Sequence, residues 1–313
     1  MKALSHTEIH KRTRQLGRLD LSRSSFKTLV RSIGEITVGA QMPIQKSQHT
    51  EFYFRVRRKT GSKVRKIEEL TAPRADLVTG YQRCNAPGDP VFYAATDRLT
   101  ALKEARAKPG DNIYLSQWIA KKPIPLNIIF APDYRYRYFN ELSPAQTTLC
   151  VFFDTLFTRQ ISPDFSDDYK LTAAIAKRLM NNYDPSPGSD IRADRSVGLR
   201  YSSVFSRETN YNVALKAEFA NERLQLYHVL QAKVIEIGED DVPRIEVIDS
   251  ASVFQGEEVI WSGDSKLLPR SVVSGERRAL FAFDNGIWKV PMLEGDITPE
   301  VVRAFLCEKF NEG

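Results

Sequence analysis

Arg83-Cys-Asn-Ala-Pro-Gly-Asp-Pro-Val-Phe-Tyr-Ala-Ala-Thr-Asp-Arg-Leu-Thr-Ala-Leu-Lys-Glu104 sets three kinds of local structure in succession. A polar loop broken by proline and glycine comes first, since these residues interrupt regular hydrogen bonding. After Pro90 the run Val91-Phe-Tyr-Ala-Ala is short, apolar and aromatic, and reads as a strand. Asp97 then has the side chain to cap a helix, with Leu99, Leu102 and Ala105 expected on one face. Glu104 falls about two turns into that helix, so a loop arginine, a strand tyrosine and a helix carboxylate lie within one compact stretch.

About a hundred residues later Gly198-Leu-Arg-Tyr-Ser-Ser-Val-Phe and Tyr211-Asn-Val-Ala-Leu, preceded by Asn210, repeat the polar-then-strand character. Strands are also predicted at Glu51 to Arg57, Pro125 to Phe130 and Leu224 to Ile237. Shorter ones follow near Ile245, Val259, Leu280 and Ile287. Ser5-x-x-Glu8 has the form of a capping box and opens a basic helix closed by Gly17. A second helix is predicted from Ser24 or Ser25 to Ile33, stopping at Gly34. The pair has enough apolar content to dock on a core, though not to form one alone. Further helices are expected from Ser143-Pro144 to about Arg159, from Asp167 to Asn181, and from Thr298-Pro299 onward. Pro185-Ser-Pro-Gly marks a break. Short strands around a few helices give an α+β class with a mixed or antiparallel sheet.

Hydrophobic residues make up 42% and charged residues 27% of the 313, the balance of a folded globular chain. No apolar run approaches the roughly 20 residues needed to cross a bilayer, and the polar start lacks a secretory signal. The expected compartment is the cytoplasm. Cys84, Cys150 and Cys307 are odd in number and widely spaced, which reads as free thiols rather than a disulfide framework. His6 and His10 stand one helical turn apart, but with no third ligand near them no metal site is assigned. No glycine-rich phosphate loop or dinucleotide fingerprint is present.

The net charge of +6 is unevenly placed: residues 1 to 70 hold sixteen lysines and arginines against six acids, leaving 29 against 33 in the remainder. A basic first segment suits a nucleic acid, an acidic protein or a phosphate-bearing small molecule, and charge alone does not choose. Tyr134-Arg-Tyr-Arg-Tyr-Phe has the composition of a base-stacking surface, but its alternation reads more simply as a strand with tyrosines on one face.

Taken in order and spacing, the loop-strand-helix stretch, the Ala-Leu-x-Glu of its helix, and Tyr-x-Ser followed by Asn-Tyr-Asn resemble the RES family over roughly residues 50 to 235. The resemblance places the family's arginine on Arg83, its glutamate on Glu104, its serine on Ser203 and its intervening aromatic on Tyr93. Arg55 matches an arginine on the family's first strand, and Asn85 and Asn212 are weaker candidates for binding substrate. Ser202 stands where the family often has proline, so the serine's register is open by one residue. The resemblance implies a fold similar to ADP-ribosyltransferases and NAD as substrate, with no other cofactor. It also implies toxin action restrained by a helix-turn-helix antitoxin; a homo-oligomer is a further expectation.

These residue types suit the implied chemistry. Cleaving the nicotinamide–ribose bond expels a neutral base and leaves an oxocarbenium-like ribose, so no acid is needed and a carboxylate is the natural stabiliser. Glu104 would balance that charge and orient the nucleophile. Arg83 would hold the diphosphate through its fork, and Tyr93 would stack on nicotinamide or direct its hydroxyl to the ribose. Ser203 would supply a neutral hydrogen bond. The alternatives are transfer of ADP-ribose to a protein and a non-catalytic nucleic-acid-binding module. The expected organisation is a basic helical extension at 1–48, an NAD-binding core at 49–237, and C-terminal strands with a helix at 238–313.

Overall fold

The computed structural model describes residues 3–40, 44–46, 51–121, 123–130, 142–180, 196–205, 211–239 and 241–263, together with the backbone of four strands between 270 and 293. The Tyr134 run, the break at Pro185, the helix expected at Thr298, Cys307, His49 and Asn210 lie outside the described residues.

The elements begin with α1 (His6–Leu16), α2 (Phe26–Ile36), β1 (Ile44–Lys46), β2 (Phe52–Arg58) and β3 (Val91–Ala95). They continue with α3 (Arg98–Glu104), β4 (Asn112–Ala120), β5 (Pro125–Ile129), α4 (Pro144–Phe157) and α5 (Lys170–Leu179). Next come β6 (Gly198–Ser202), β7 (Tyr211–Lys216), α6 (Ala217–Arg223), β8 (Leu224–Ile237) and β9 (Pro243–Ala251). The hairpin β10 (Val253–Gln255) and β11 (Glu258–Ile260) follows, then β12 (Arg270–Ser274), β13 (Arg277–Asp284), β14 (Ile287–Lys289) and β15 (Met292–Leu293). Helices packed with mixed and antiparallel strands make the class α+β. No helix among the described residues is long and apolar enough to cross a membrane.

Two compact units are woven from alternating parts of the chain. The first comprises 1–51, 72–96 and 120–224; the second comprises 52–71, 97–119 and 225–313. In the first, strands run in the order β1-β5-β6-β7-β3. β5 and β6 are parallel while the other pairs are antiparallel. A parallel pair needs a long crossover, and the segment between β5 and β6 supplies one that contains α4 and α5. Ser143 caps α4 in a reciprocal box with Gln146, and Pro144 fills its first turn, where no donor is lost. Gly198 opens β6 because no side chain fits there: a Cβ would lie 2.5 Å from the Ala214 carbonyl oxygen.

The helices of the N-terminal segment each bury one face in this unit's core. Ile9, Leu16, Leu29, Ile33 and Ile36 share one buried cluster with Cys84, Ile129, Phe153, Phe157 and Tyr201. α2 does not stop at Gly34 as the sequence predicted; it runs to Ile36, which is 1% exposed. One more helical turn buries that isoleucine, outweighing the weak helix preference of a single glycine. The left-handed turn falls instead at Gly39, with φ of 74°.

In the second unit the order is β2-β4-β8-β9. β4 has no polar-apolar alternation, since Ile113 to Gln117 are all buried, which is why periodicity did not reveal it. Leu102 of α3 enters a cluster with Ala107, Ile113, Ala232 and Val234, against which Val56 and Ile245 pack. Leu99, expected on the apolar face, is 42% exposed; Thr100, Ala101 and Leu102 are the buried positions instead. Elsewhere in this unit Asp249 anchors a polar knot. Its carboxylate pairs with Lys63 and accepts from Ser250 N at 2.7 Å, Ser262 Oγ at 3.1 Å and Gly263 N at 2.9 Å.

Candidate functional site

β3, β7 and β6 lie side by side, so their register decides which side chains share a face. Tyr93 is opposite Ala214, which is opposite Leu199. One step along, Ala95, Asn212 and Tyr201 form the adjoining row. Residues two apart on a strand point the same way, so Tyr93, Asn212 and Tyr201 share a face. Ser202, the last residue of β6, pairs with Tyr211 on the other face, and Ser203 follows just beyond the strand's end. Ser203 is fully buried, and its Oγ accepts from Phe205 N at 3.2 Å.

Tyr93 is half-buried and held at its tip. Its hydroxyl oxygen accepts the Cys84 amide proton at 2.7 Å, and its own proton goes to Asn85 Oδ1 at 2.8 Å. Asn85 is 2% exposed and donates from Nδ2 to the Ala86 carbonyl at 3.3 Å. Reciprocal amide–carbonyl bonds between Gln82 and Asn85, at 3.0 and 3.3 Å, close a tight turn beneath this contact. Burial, then the neighbouring Cys84, raises the Tyr93 hydroxyl well above the ordinary tyrosine range. Burial likewise pushes the Cys84 thiol up to about 12, despite Arg83 and hydrogen bonds with Tyr201 and Tyr93. Both groups are neutral at physiological pH.

Arg83 uses its fork on backbone. Nη1 donates to the carbonyls of Phe157 and, at 3.4 Å, Leu156; Nη2 donates to Arg159 O at 3.1 Å. These carbonyls end α4, where the helix leaves acceptors without intrahelical partners and the dipole favours a cation. The guanidinium also lies 5.4 Å from the centre of the Tyr169 ring. The fork assigned to a diphosphate on sequence grounds therefore fastens the Gln82–Asn85 turn to the end of α4.

Arg55 and Glu104 belong to the second unit. Asp97 caps α3 by accepting from Thr100 N at 2.8 Å, and Glu104 is the last residue of the helix. It follows Thr100 and Ala101 by four and three positions, which puts it on the buried side, where it is itself half-buried. On β2, Phe54 and Val56 face α3: Arg98 stacks on the Phe54 ring at 5.2 Å, and Val56 packs on the cluster containing Leu102. Alternation turns Arg55 to the opposite face, with Arg57 and Ser116. Thus the first unit contains Arg83, Asn85, Tyr93, Asn212 and Ser203, with Tyr93 joined to the Gln82–Asn85 turn and facing the same way as Asn212, whereas within the second Arg55 and the helix bearing Glu104 occupy different faces of the strands.

Two residues of the first-unit cluster were not singled out in sequence as site residues. Cys84 appeared only as a free thiol, and Tyr201, 4% exposed with its ring 5.2 Å from that of Phe157, was read only as part of Tyr-x-Ser. The pairing of Tyr201 with Asn212 is a long-range fact that a single sequence does not contain. Among the described residues no group of three or more His, Cys, Asp or Glu is arranged to hold a metal, and Cys84 and Cys150 are free and buried.

No curated protein and no solved structure matches the chain. The RES domain, however, matches residues 54–231, which contain Arg55, Arg83, Asn85, Tyr93, Glu104, Ser203 and Asn212. That match covers more than half of the 313 residues, and the chain belongs to the RES family.

Proposed function

We propose that the protein is an NAD-consuming, toxin-type enzyme that cleaves the bond between nicotinamide and ribose. The observation that carries this reading is the RES match over 54–231, with the arginine, tyrosine, glutamate and serine of the family pattern all inside it. The Tyr93 face supports it chemically. Its aromatic and polar groups, Tyr93, Tyr201 and Asn212, suit a departing aromatic amide that carries no charge, and Ser203 is the family's serine just beyond β6. Glu104 is the carboxylate that balances the ribosyl cation and orients the incoming nucleophile, a contribution of several kcal/mol from a preorganised site.

Arg83 takes a positioning role in this reading, because its fork holds the turn that carries Asn85. Water or phosphate accepts the ADP-ribose. Transfer to a protein uses the same groups and is separated by one experiment. Purified protein incubated with NAD alone should release nicotinamide, and Glu104→Ala should release it at least about a hundredfold more slowly while remaining folded. Absence of nicotinamide from the wild-type reaction would reject the reading; release only after a protein acceptor is added would replace hydrolysis by transfer. In cells, expression should lower NAD and arrest growth, and a helix-turn-helix protein should relieve the arrest.

A further inference from the structure

Residues 6–36 lie outside the segment that matches the RES domain, yet they connect to the Tyr93 turn through a chain of specific contacts. The first link is Lys170 at the start of α5, only 9% exposed. Its ammonium has three protons and three acceptors: Leu21 O at 3.0 Å, Ser22 O at 3.3 Å and Asp167 Oδ1 at 3.1 Å. Two of these are backbone carbonyls of the turn between α1 and α2. A buried ammonium is tolerated when it is fully satisfied in this way, and it then fixes the geometry of everything it touches.

The second link is Tyr81. Lys170 lies 5.6 Å from the centre of the Tyr81 ring, and Phe26 of α2 packs on the same ring at 5.4 Å. The third is the crossed pair beside it, Arg83 over Tyr169. Tyr81 and Arg83 thus alternate with Lys170 and Tyr169 as two cation–aromatic contacts between one loop and one helix start. Between Arg83 and Asn85 the Cys84 amide then reaches the Tyr93 hydroxyl.

We propose that Lys170 and Tyr81 are positioning residues, and that they transmit the docking of α1 and α2 into the placement of the Gln82–Asn85 turn against Tyr93. Reactivity depends steeply on such placement, and a site carried on a loop needs a supporting layer of this kind. In its kinetic consequence the proposal rests on the NAD-cleaving reading; in its structural consequence it does not.

The test uses the full chain and two variants, Tyr81→Leu and Lys170→Gln. Cys84 reports on the turn, because the residue is 2% exposed and burial keeps its thiol neutral, so alkylation by iodoacetamide should be slow in the wild type. The expected result, mapped by mass spectrometry, is at least about tenfold faster alkylation of Cys84, with Cys150, also buried, unchanged. NAD turnover should lose about tenfold in kcat while KM stays within about threefold, since orientation rather than affinity is disturbed. A folded Tyr81→Leu protein whose Cys84 reacts no faster than wild type overturns the proposal, as does equal acceleration at Cys150 or an unchanged kcat. If Lys170→Gln fails to fold, Tyr81→Leu alone decides. If the wild type shows no NAD turnover while Cys84 is released in the variant, the functional reading falls and the link from Lys170 to the turn stands.

Discussion

The hydroxyl of Tyr93 has one proton, and Asn85 holds it; the oxygen meanwhile accepts from Cys84. With the hydroxyl engaged by the turn, the ring, rather than the tip, meets the flat nicotinamide in the proposed reading. Two effects should therefore separate on mutation. Tyr93→Phe strands a buried amide donor and the carbonyl of Asn85, and should cost about 1–3 kcal/mol for each group left unmade. The denaturant midpoint would fall accordingly, while KM for NAD should change by less than about threefold. Tyr93→Ala removes the ring as well and should raise KM by about tenfold or more. A large KM effect in the phenylalanine variant would show that the hydroxyl, not the ring, meets the substrate.

At the level of elements, β6 depends on Gly198, whose missing side chain lets it sit between Leu126 of β5 and Leu215 of β7. Gly198→Ala brings a methyl group to 2.5 Å from both a backbone oxygen and the Leu215 Cδ2, and backbone cannot move aside as a flexible side chain does. A destabilisation of about 1–3 kcal/mol is expected, read as a lowered midpoint with an unchanged slope in urea. Elements marked by local chemistry were legible in the sequence: β3 after Pro90, α3 from its Asp97 cap and α4 from its opening Ser143-Pro144. β4 was not, because burial on both faces erases alternation, and α6 was not, because seven residues between two strands give too little period to read. The same limit applied to the candidate site. The resemblance to the RES family pointed to Tyr93 and Ser203, but the engagement of Arg83 with the end of α4 and the sharing of a face by Tyr201 and Asn212 are products of pairing across more than seventy residues or between strands.

For the whole molecule, response to acid is set by groups that the fold keeps from taking protons. His228 is 2% exposed, and burial, followed by the Arg98 charge, depresses its pKa from 6.5 to about 3. Above pH 6.5 the imidazole is neutral in both folded and unfolded chains and contributes no pH dependence. Below it the unfolded chain binds a proton that the folded one refuses, so stability falls by roughly 1.4 kcal/mol per pH unit until about pH 3. Asp249 adds to this at lower pH. Burial alone would raise its pKa, but hydrogen bonds from Lys63, the Ser250 amide and Ser262 more than offset it and hold the carboxylate below its usual 3.8. Its stabilising contribution is present above that value and disappears as the pH drops through the folded pKa. Unfolding measured by urea titration should therefore show stability declining between pH 6.5 and 4 in the wild type. His228→Gln removes the titrating group from both states, and its stability should be nearly flat over that window while still falling below pH 4. A slope between pH 6.5 and 4 equal to that of the wild type would assign the acid sensitivity to groups other than this histidine.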